Sequence, residues 1–214
     1  MGRMKASTRT FQWKPAEESP TLAPINVPNL AYLSLGSNVG EREAQLRDAL
    51  ARLGLAGRVV AVSSFYETEP VEFTSQPWFL NCSAALETSQ APRQFMTTVL
   101  QIEEEMGRRR VQKKGPRSID IDILIFVSGV TVTGETKDAI IDSEELTIPH
   151  PAMHQRRFVL EPLAEIAPDL LHPILKKTIR ELRDELHEGQ SVRRVRPERA
   201  NDQRRTTNDG SKAQ

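Results

Sequence analysis

Asp120 and Asp122 stand two residues apart in an otherwise apolar run, Ile119-Asp120-Ile121-Asp122-Ile123. On a β-strand, residues i and i+2 leave the same face, so the spacing predicts two carboxylates side by side with the isoleucines opposite. Leu124-Ile125-Phe126-Val127 continues the apolar character, as a central, covered strand requires. Carboxylates without a counter-charge are costly in such a place. A Mg2+ ion answers them, because it takes oxygen ligands and shares one or two carboxylates with substrate phosphates. An isolated Asp-x-Asp is as readily the polar face of a surface strand, so the neighbours decide. Arg108, Arg110, Lys113 and Arg117 lie just upstream, and guanidinium groups neutralise phosphate charge through directed, bidentate hydrogen bonds. Pair and cations together point to phosphate chemistry.

Two further groups of residues extend that reading. In Thr147-Ile148-Pro149-His150-Pro151, prolines on both sides fix the backbone around one imidazole, and Arg156 follows. The histidine has only His154 near it, which argues against zinc and for a contact to phosphate. Phe79 and Asn81 alternate onto one strand face, offering a ring to stack on and an amide to read the edge of a heterocycle; Phe158 offers a second ring. No G-x-x-x-x-G-K-[ST] loop is present, so a nucleotide site here is built another way.

The elements that must carry these residues follow from periodicity. Leu30 to Leu35 reads as a strand ending in the turn Gly36-Ser37-Asn38, which can also cap a helix. Leu46, Ala49, Leu50 and Leu53 form the stripe of that helix, with Gly54 and Gly57 at its end. Val59–Tyr66 and Trp78–Leu86 read as strands. Pro92 opens a second helix whose stripe is Phe95, Met96, Val99, Ile102 and Met106, and Gly107 stops it. The aspartate strand comes next. This β-α-β-β-α-β order predicts an α+β, ferredoxin-like core, a mostly antiparallel sheet with helices on one face. Residues 128–145 read as a polar, exposed excursion. C-terminal helices are expected over 149–156, 158–166 and 178–186, the last with Ile179, Leu182 and Leu186 inward.

The chain has 214 residues, enough for one domain of 30–187 between a disordered extension over 1–29, with four prolines, and a disordered Arg-rich tail over 188–214. Lysine plus arginine and aspartate plus glutamate number 29 each, so no overall field favours a polyanion. The single cysteine, Cys82, excludes an intrachain disulfide framework and fits a reducing, cytoplasmic setting. No apolar stretch approaches the roughly 20 residues of a membrane span.

Taken in chain order, Leu35-Gly36-Ser37-Asn38, Ser63 through Thr68, Gln76 through Asn81, Gly115 through Leu124, Thr147 through Pro151, Phe158 through Leu163 and Ile166-Ala167-Pro168 closely resemble the 6-hydroxymethyl-7,8-dihydropterin pyrophosphokinase family. The resemblance implies transfer of the β,γ-diphosphate of ATP to the pterin's hydroxymethyl oxygen, with release of AMP, in folate biosynthesis. It implies two Mg2+ ions on Asp120 and Asp122, and Arg108 and Arg117 stabilising the transferring group. Glu103, Arg110, Lys113, Thr147, His150 and Arg156 would seat ATP. Phe79 and Phe158 would sandwich the pterin while Asn81 reads its edge, with Thr68 and Val71 in backbone contact. Lys114 stands where the family often has an aromatic residue. The expected partners are ATP and the pterin, with no membrane and no nucleic acid, and the protein acting as a monomer. The competing reading is a catalytically weakened ferredoxin-like module binding nucleic acid through the tail's arginines, Arg193, Arg194 and Arg196 among them.

Overall fold

In the computed structural model, which describes residues 28–71, 75–108, 116–129, 137–186 and 189–196, the apolar run from Leu30 forms a central strand, β1 (Asn29–Ser37). Helix α1 (Arg42–Ala56), then β2 (Arg58–Val62), β3 (Tyr66–Thr68), β4 (Phe79–Thr88), α2 (Pro92–Glu105) and β5 (Asp120–Ser128) follow. β4 and β5 flank β1, both antiparallel to it, and β2 and β3 share the outer edge of β4. This is the expected α+β, ferredoxin-like arrangement. The single strand expected over Val59–Tyr66 is divided. Ser63 accepts from the Ser83 N–H through its hydroxyl and donates its own N–H to the Ser83 carbonyl, both at 2.9 Å, so the ladder is interrupted there and resumes at Tyr66.

The excursion expected over 128–145 is partly paired. β6 (Lys137–Asp138) lies on β5, and β7 (Ile141–Asp142) pairs with β8 (Thr147–Ile148). Beyond these come a 3-10 turn (Met153–Gln155), α3 (Arg157–Ile166) and α4 (Ile179–Glu185). Within the span 188–214, expected as a disordered tail, the described residues 189–196 carry β9 (Val192–Arg194), which pairs with β3, Tyr66 opposite Arg194 and Thr68 opposite Val192; the rest of that span, like 1–27, lies outside the described residues. Its sequence is polar because it lies at an edge, with Arg193 and Arg194 exposed.

Helices cover both faces. On one, Leu33 and Leu35 of β1 and Ile121 and Ile123 of β5 meet Leu46, Ala49 and Leu53 of α1 and Phe95, Val99 and Ile102 of α2. On the other, Leu124 and Ile125 of β5 meet Met153, Val159, Leu160 and Leu163, with Ile179 and Leu182 of α4. Two consecutive β5 residues reach the same core because the strand carries a bulge. Tyr32 pairs with Ile125 and Leu33 with Ile123, which leaves Leu124 as the extra residue. Phe126 is thereby returned to the α2 side, its ring 6.3 Å from that of Phe95.

Helix ends bear on the site. α1 runs through Gly54 and stops at Gly57, where a Cβ would lie 2.2 Å from the Glu87 carbonyl oxygen. Asn38 does not cap it; the capping position is Glu41, and no side chain bonds there. α2 opens with Pro92 as expected. At its other end Gly107 takes φ +79°, and the Gly107 and Arg108 N–H groups donate to the carbonyls of Glu104 and Glu103, each at 2.9 Å. This Schellman turn folds Arg108 back over the last turn of α2. In α4, Thr178 and Glu181 form a reciprocal capping box.

Candidate active site

The face of the sheet opposite α1 and α2 carries a cavity of about 310 Å3. Its floor is built by strand alternation. In register, Gly36 lies between Asn81 of β4 and Asp120 of β5, and Ser34 between Ser83 and Asp122. Phe79 and Thr68 extend the floor, Glu69, Pro70, Val71 and Gln76 come from the loops beside β3 and β4, and His150, Arg156 and Phe158 come from the segment before α3 and its first turn.

Asp120 is held between two arginines. Arg108 Nη2 meets its Oδ1 at 2.6 Å, and Arg117 Nη1 bonds its Oδ2. Arg108 also pairs with Glu103, a nearly fully buried carboxylate whose Oε1 accepts from the Ile121 N–H at 2.7 Å. Glu103 therefore lies behind Arg108, joining the end of α2 to β5, and does not line the cavity. Burial pushes its carboxyl up, against the pull of Arg108. Among the described residues no cation reaches Asp122 within ion-pair distance except His150, whose Nε2 is 4.0 Å away. His150 is no counter-charge at neutral pH, because burial and then Arg156 lower it to about 4. Some 35% of the Asp122 side chain is exposed to the cleft, yet burial and the like charge of Asp120 raise it to about 7. The floor thus holds one carboxylate paired with two arginines and one with no close arginine or lysine among the described residues.

Asn81 is buried, and its amide donates to the Thr68 hydroxyl at 2.6 Å. Arg117 lies over the Phe79 ring at 5.8 Å and Arg156 over that of Phe158 at 5.6 Å, within cation–π range. The structure thus brings Thr68, Val71, Phe79, Asn81, Arg108, Arg117, Asp120, Asp122, His150, Arg156 and Phe158 around one cavity. Thr147 lines an adjoining cavity of about 230 Å3, which shares Asp122 and His150 with the first. Arg110 and Lys113 lie outside the described residues. Sequence reasoning missed Ser34, Gly36 and Gln76, which line the cavity, and the clasp made by Asn38. Asn38 exchanges backbone and side-chain bonds with Arg117, at 3.2 and 2.8 Å, and its amide donates to Gln76 at 3.1 Å. The i, i+2 spacing of Ser34 and Gly36 was readable, but which face they served depended on strand pairing.

A family model described as 7,8-dihydro-6-hydroxymethylpterin-pyrophosphokinase (HPPK) matches residues 32–168. The chain belongs to the HPPK family. It is 45% identical over 140 residues to the 2-amino-4-hydroxy-6-hydroxymethyldihydropteridine pyrophosphokinase of Bacillus subtilis, covering 64% of this chain and 78% of that protein. It is 42% identical over 159 residues to the folic acid synthesis protein fol1 of Schizosaccharomyces pombe, covering 73% of this chain but only 20% of that longer protein. Its fold is similar to that of wild-type Plasmodium falciparum HPPK-DHPS solved with pterin and p-hydroxybenzoate: TM-score 0.55, 20% identity, 76% of this chain and 44% of that one. The matched segment contains every described cavity residue named here, from Ser34 to Phe158.

The donor set of this HPPK-family site suits a hard cation brought with its own oxygens. Among the described residues no group of three or more His, Cys, Asp or Glu gathers as a protein-only metal site. Two carboxylates at one cleft, one lacking a close positive partner among those residues, fit Mg2+ completed by phosphate oxygens and water. The nucleic-acid reading loses support, since two of its arginines serve the fold: Arg193 lies over Trp78 at 5.2 Å, and Arg194 pairs with Glu165 at 3.0 Å.

Proposed function

We propose that this chain transfers the β,γ-diphosphate of ATP to the hydroxymethyl oxygen of 6-hydroxymethyl-7,8-dihydropterin and releases AMP. The observation that carries the reading is Asp122, a cleft carboxylate with no close positive partner among the described residues, beside the Arg108–Asp120–Arg117 cluster and two arginine-covered rings. The pterin's hydroxymethyl oxygen attacks the β-phosphorus, and the bond from that phosphorus to the α,β-bridging oxygen breaks as AMP leaves. No protein nucleophile is needed, and Cys82 is unsuited to be one, since burial pushes its thiol up to about 12.

Phosphoryl chemistry of this kind is mostly positioning and electrostatics. Phe79 and Phe158 offer flat apolar surfaces to the pterin, and Asn81, fixed by Thr68, offers its amide edge. Arg108 and Arg117, held on Asp120 in the free site, are placed to move onto the transferring diphosphate. Arg156, His150, Thr147, Arg110 and Lys113 complete the nucleotide's surroundings, and Glu103 holds Arg108. Asp120 and Asp122 would hold two Mg2+ ions, whose contribution is to neutralise the triphosphate and favour charge build-up on the leaving AMP. One chain carries every residue assigned here, which supports a monomer, and the lone buried Cys82 supports a cytoplasmic setting.

The test is the identity of the nucleotide product. Purified protein with ATP, Mg2+ and the hydroxymethyl-dihydropterin is expected to yield AMP and pterin diphosphate in equal amounts. Asp122→Asn is expected to lose at least about 10²-fold in turnover. ADP as product, or full activity in the variant, would sink the assignment.

A further inference from the structure

We propose that residues 189–196 form a strap that sets the pterin slot, with Gln190 as its positioning residue; the inference rests on the functional reading above. The observation is a bridge made by one amide. Gln190 Nε2 donates to the Glu69 carbonyl at 3.0 Å, and its Oε1 accepts from the Phe158 N–H at 3.3 Å. Glu69 and Phe158 line the same cavity but come from elements far apart in the chain. Gln190 ties them to each other.

Each end of the bridge meets a local need. The first N–H groups of a helix have no partner within it, and at the capping position of α3, Arg156, no side chain bonds them. The Phe158 N–H belongs to that first turn, and Gln190 supplies the acceptor from the segment that leads into β9. At the other end, Glu69 N–H donates to the Ser191 carbonyl at 3.1 Å, so both backbone groups of Glu69 are taken by the strap. The loop through Pro70 and Val71 is thereby fixed next to Thr68, which pairs with Val192. Arg157 Nη2 donates to the Leu186 carbonyl at 2.7 Å and anchors the chain where it leaves α4.

A slot that stacks a flat bicyclic ring depends on where its walls stand, and an error of about 1 Å is felt strongly. The strap reaches the wall at Phe158 and the loop at Glu69. Among the described residues its hydrogen bonds and ion pairs go elsewhere than to Arg108, Arg117, Asp120 and Asp122, which lie just after α2, just before β5 or at its start. Pterin capture should therefore depend on the strap, and the phosphate end should not. Residues 189–196 also lie beyond the segment 32–168 that matches the family model.

The variants are Gln190→Met, which keeps the length and loses both hydrogen bonds, and Gln190→Ala. Pterin affinity is read by calorimetry with a non-hydrolysable ATP analogue and Mg2+ present, alongside steady-state kinetics and thermal melts. Both variants are expected to raise the pterin Kd and KM about five- to tenfold, with the KM for ATP and kcat at saturating pterin within about twofold of wild type. Unchanged pterin affinity overturns the proposal. So does a joint loss of pterin and ATP affinity with a lowered melting temperature, which marks a merely structural strand. A wild-type protein that binds no pterin overturns the functional reading and the strap together; a wild type that binds pterin, with variants of the same affinity, overturns the strap alone.

Discussion

At the scale of single residues, the two cleft carboxylates are partnered differently among the described residues. Asp120 holds two arginines that phosphate would otherwise claim, while Asp122 sits near a histidine that burial keeps neutral. Under the proposed function, ligand binding would be an exchange of partners, with the arginines moving to phosphate as cations take the carboxylates. Gly36 has a comparable fixed duty. A Cβ there would lie 2.5 Å from Asn81 Oδ1, so only glycine lets the amide rest against β1 and donate to Thr68. Gly36→Ala can be absorbed by turning Asn81 away. It is expected to cost about 1–2 kcal/mol of stability from the buried hydrogen bond and to raise the pterin KM about tenfold, with the ATP KM unchanged. Urea denaturation and steady-state kinetics check this; a variant with normal pterin KM would show that the Asn81 amide does not read the pterin.

At the scale of elements, two glycines of one helix give opposite expectations. Gly54 sits inside α1 with nothing within 4 Å of a would-be Cβ, so Gly54→Ala should stabilise by about 0.5–1 kcal/mol. Gly57 packs against the backbone of β4, so Gly57→Ala should destabilise by about 1–3 kcal/mol or more. Chemical denaturation of the pair decides it, and equal effects would refute the distinction. The sequence could not separate them, because both are glycines after an apolar stripe and only the neighbouring strand tells them apart. The stripes themselves were legible: Leu46, Ala49 and Leu53, then Phe95, Val99 and Ile102, are buried as read. The very short strands were not. β6 to β9 run two or three residues each, too few for an alternation to register, and they exist through the partners they find. The same limit hid Gln190. Asp120 and Asp122 were visible for the converse reason, since their spacing and their company both lie within one short segment.

For the whole molecule, burial of neutral acids sets an alkaline limit. The Cys82 thiol is pushed from 9.0 to about 12 by burial. Tyr66 is pushed from 10.0 to about 12 by burial and by its hydrogen bond to Glu165, and burial raises Tyr32 as well. A folded-state value above the unfolded one means the contribution is complete below the unfolded value and is lost as pH climbs through the folded one. Stability should therefore hold to about pH 9 and decline from there towards pH 12. Tyr66→Phe and Cys82→Ala should each flatten that decline even where they lower stability at pH 7, as urea denaturation between pH 7 and 11 would show; variants that decline as steeply as wild type would refute it. The tyrosine sits in a wider joint, because Glu165 on α3 also receives bonds from Ser64 and Arg194 and so ties that helix to the strands beneath it.

The extra residue in β5, Leu124, makes this strand a message read in two frames. Before it, even-numbered positions face the cleft and carry the carboxylates; after it, odd-numbered Ile125 and Val127 take over that side and feed the core under α3. Chemistry and packing on both sides of the sheet are thus indexed to a single count. Exchanging one side chain for another there alters one contact. Adding or removing a residue between Asp122 and Phe126 would transpose inside and outside for half the strand, and both the site and a core would be lost in one step.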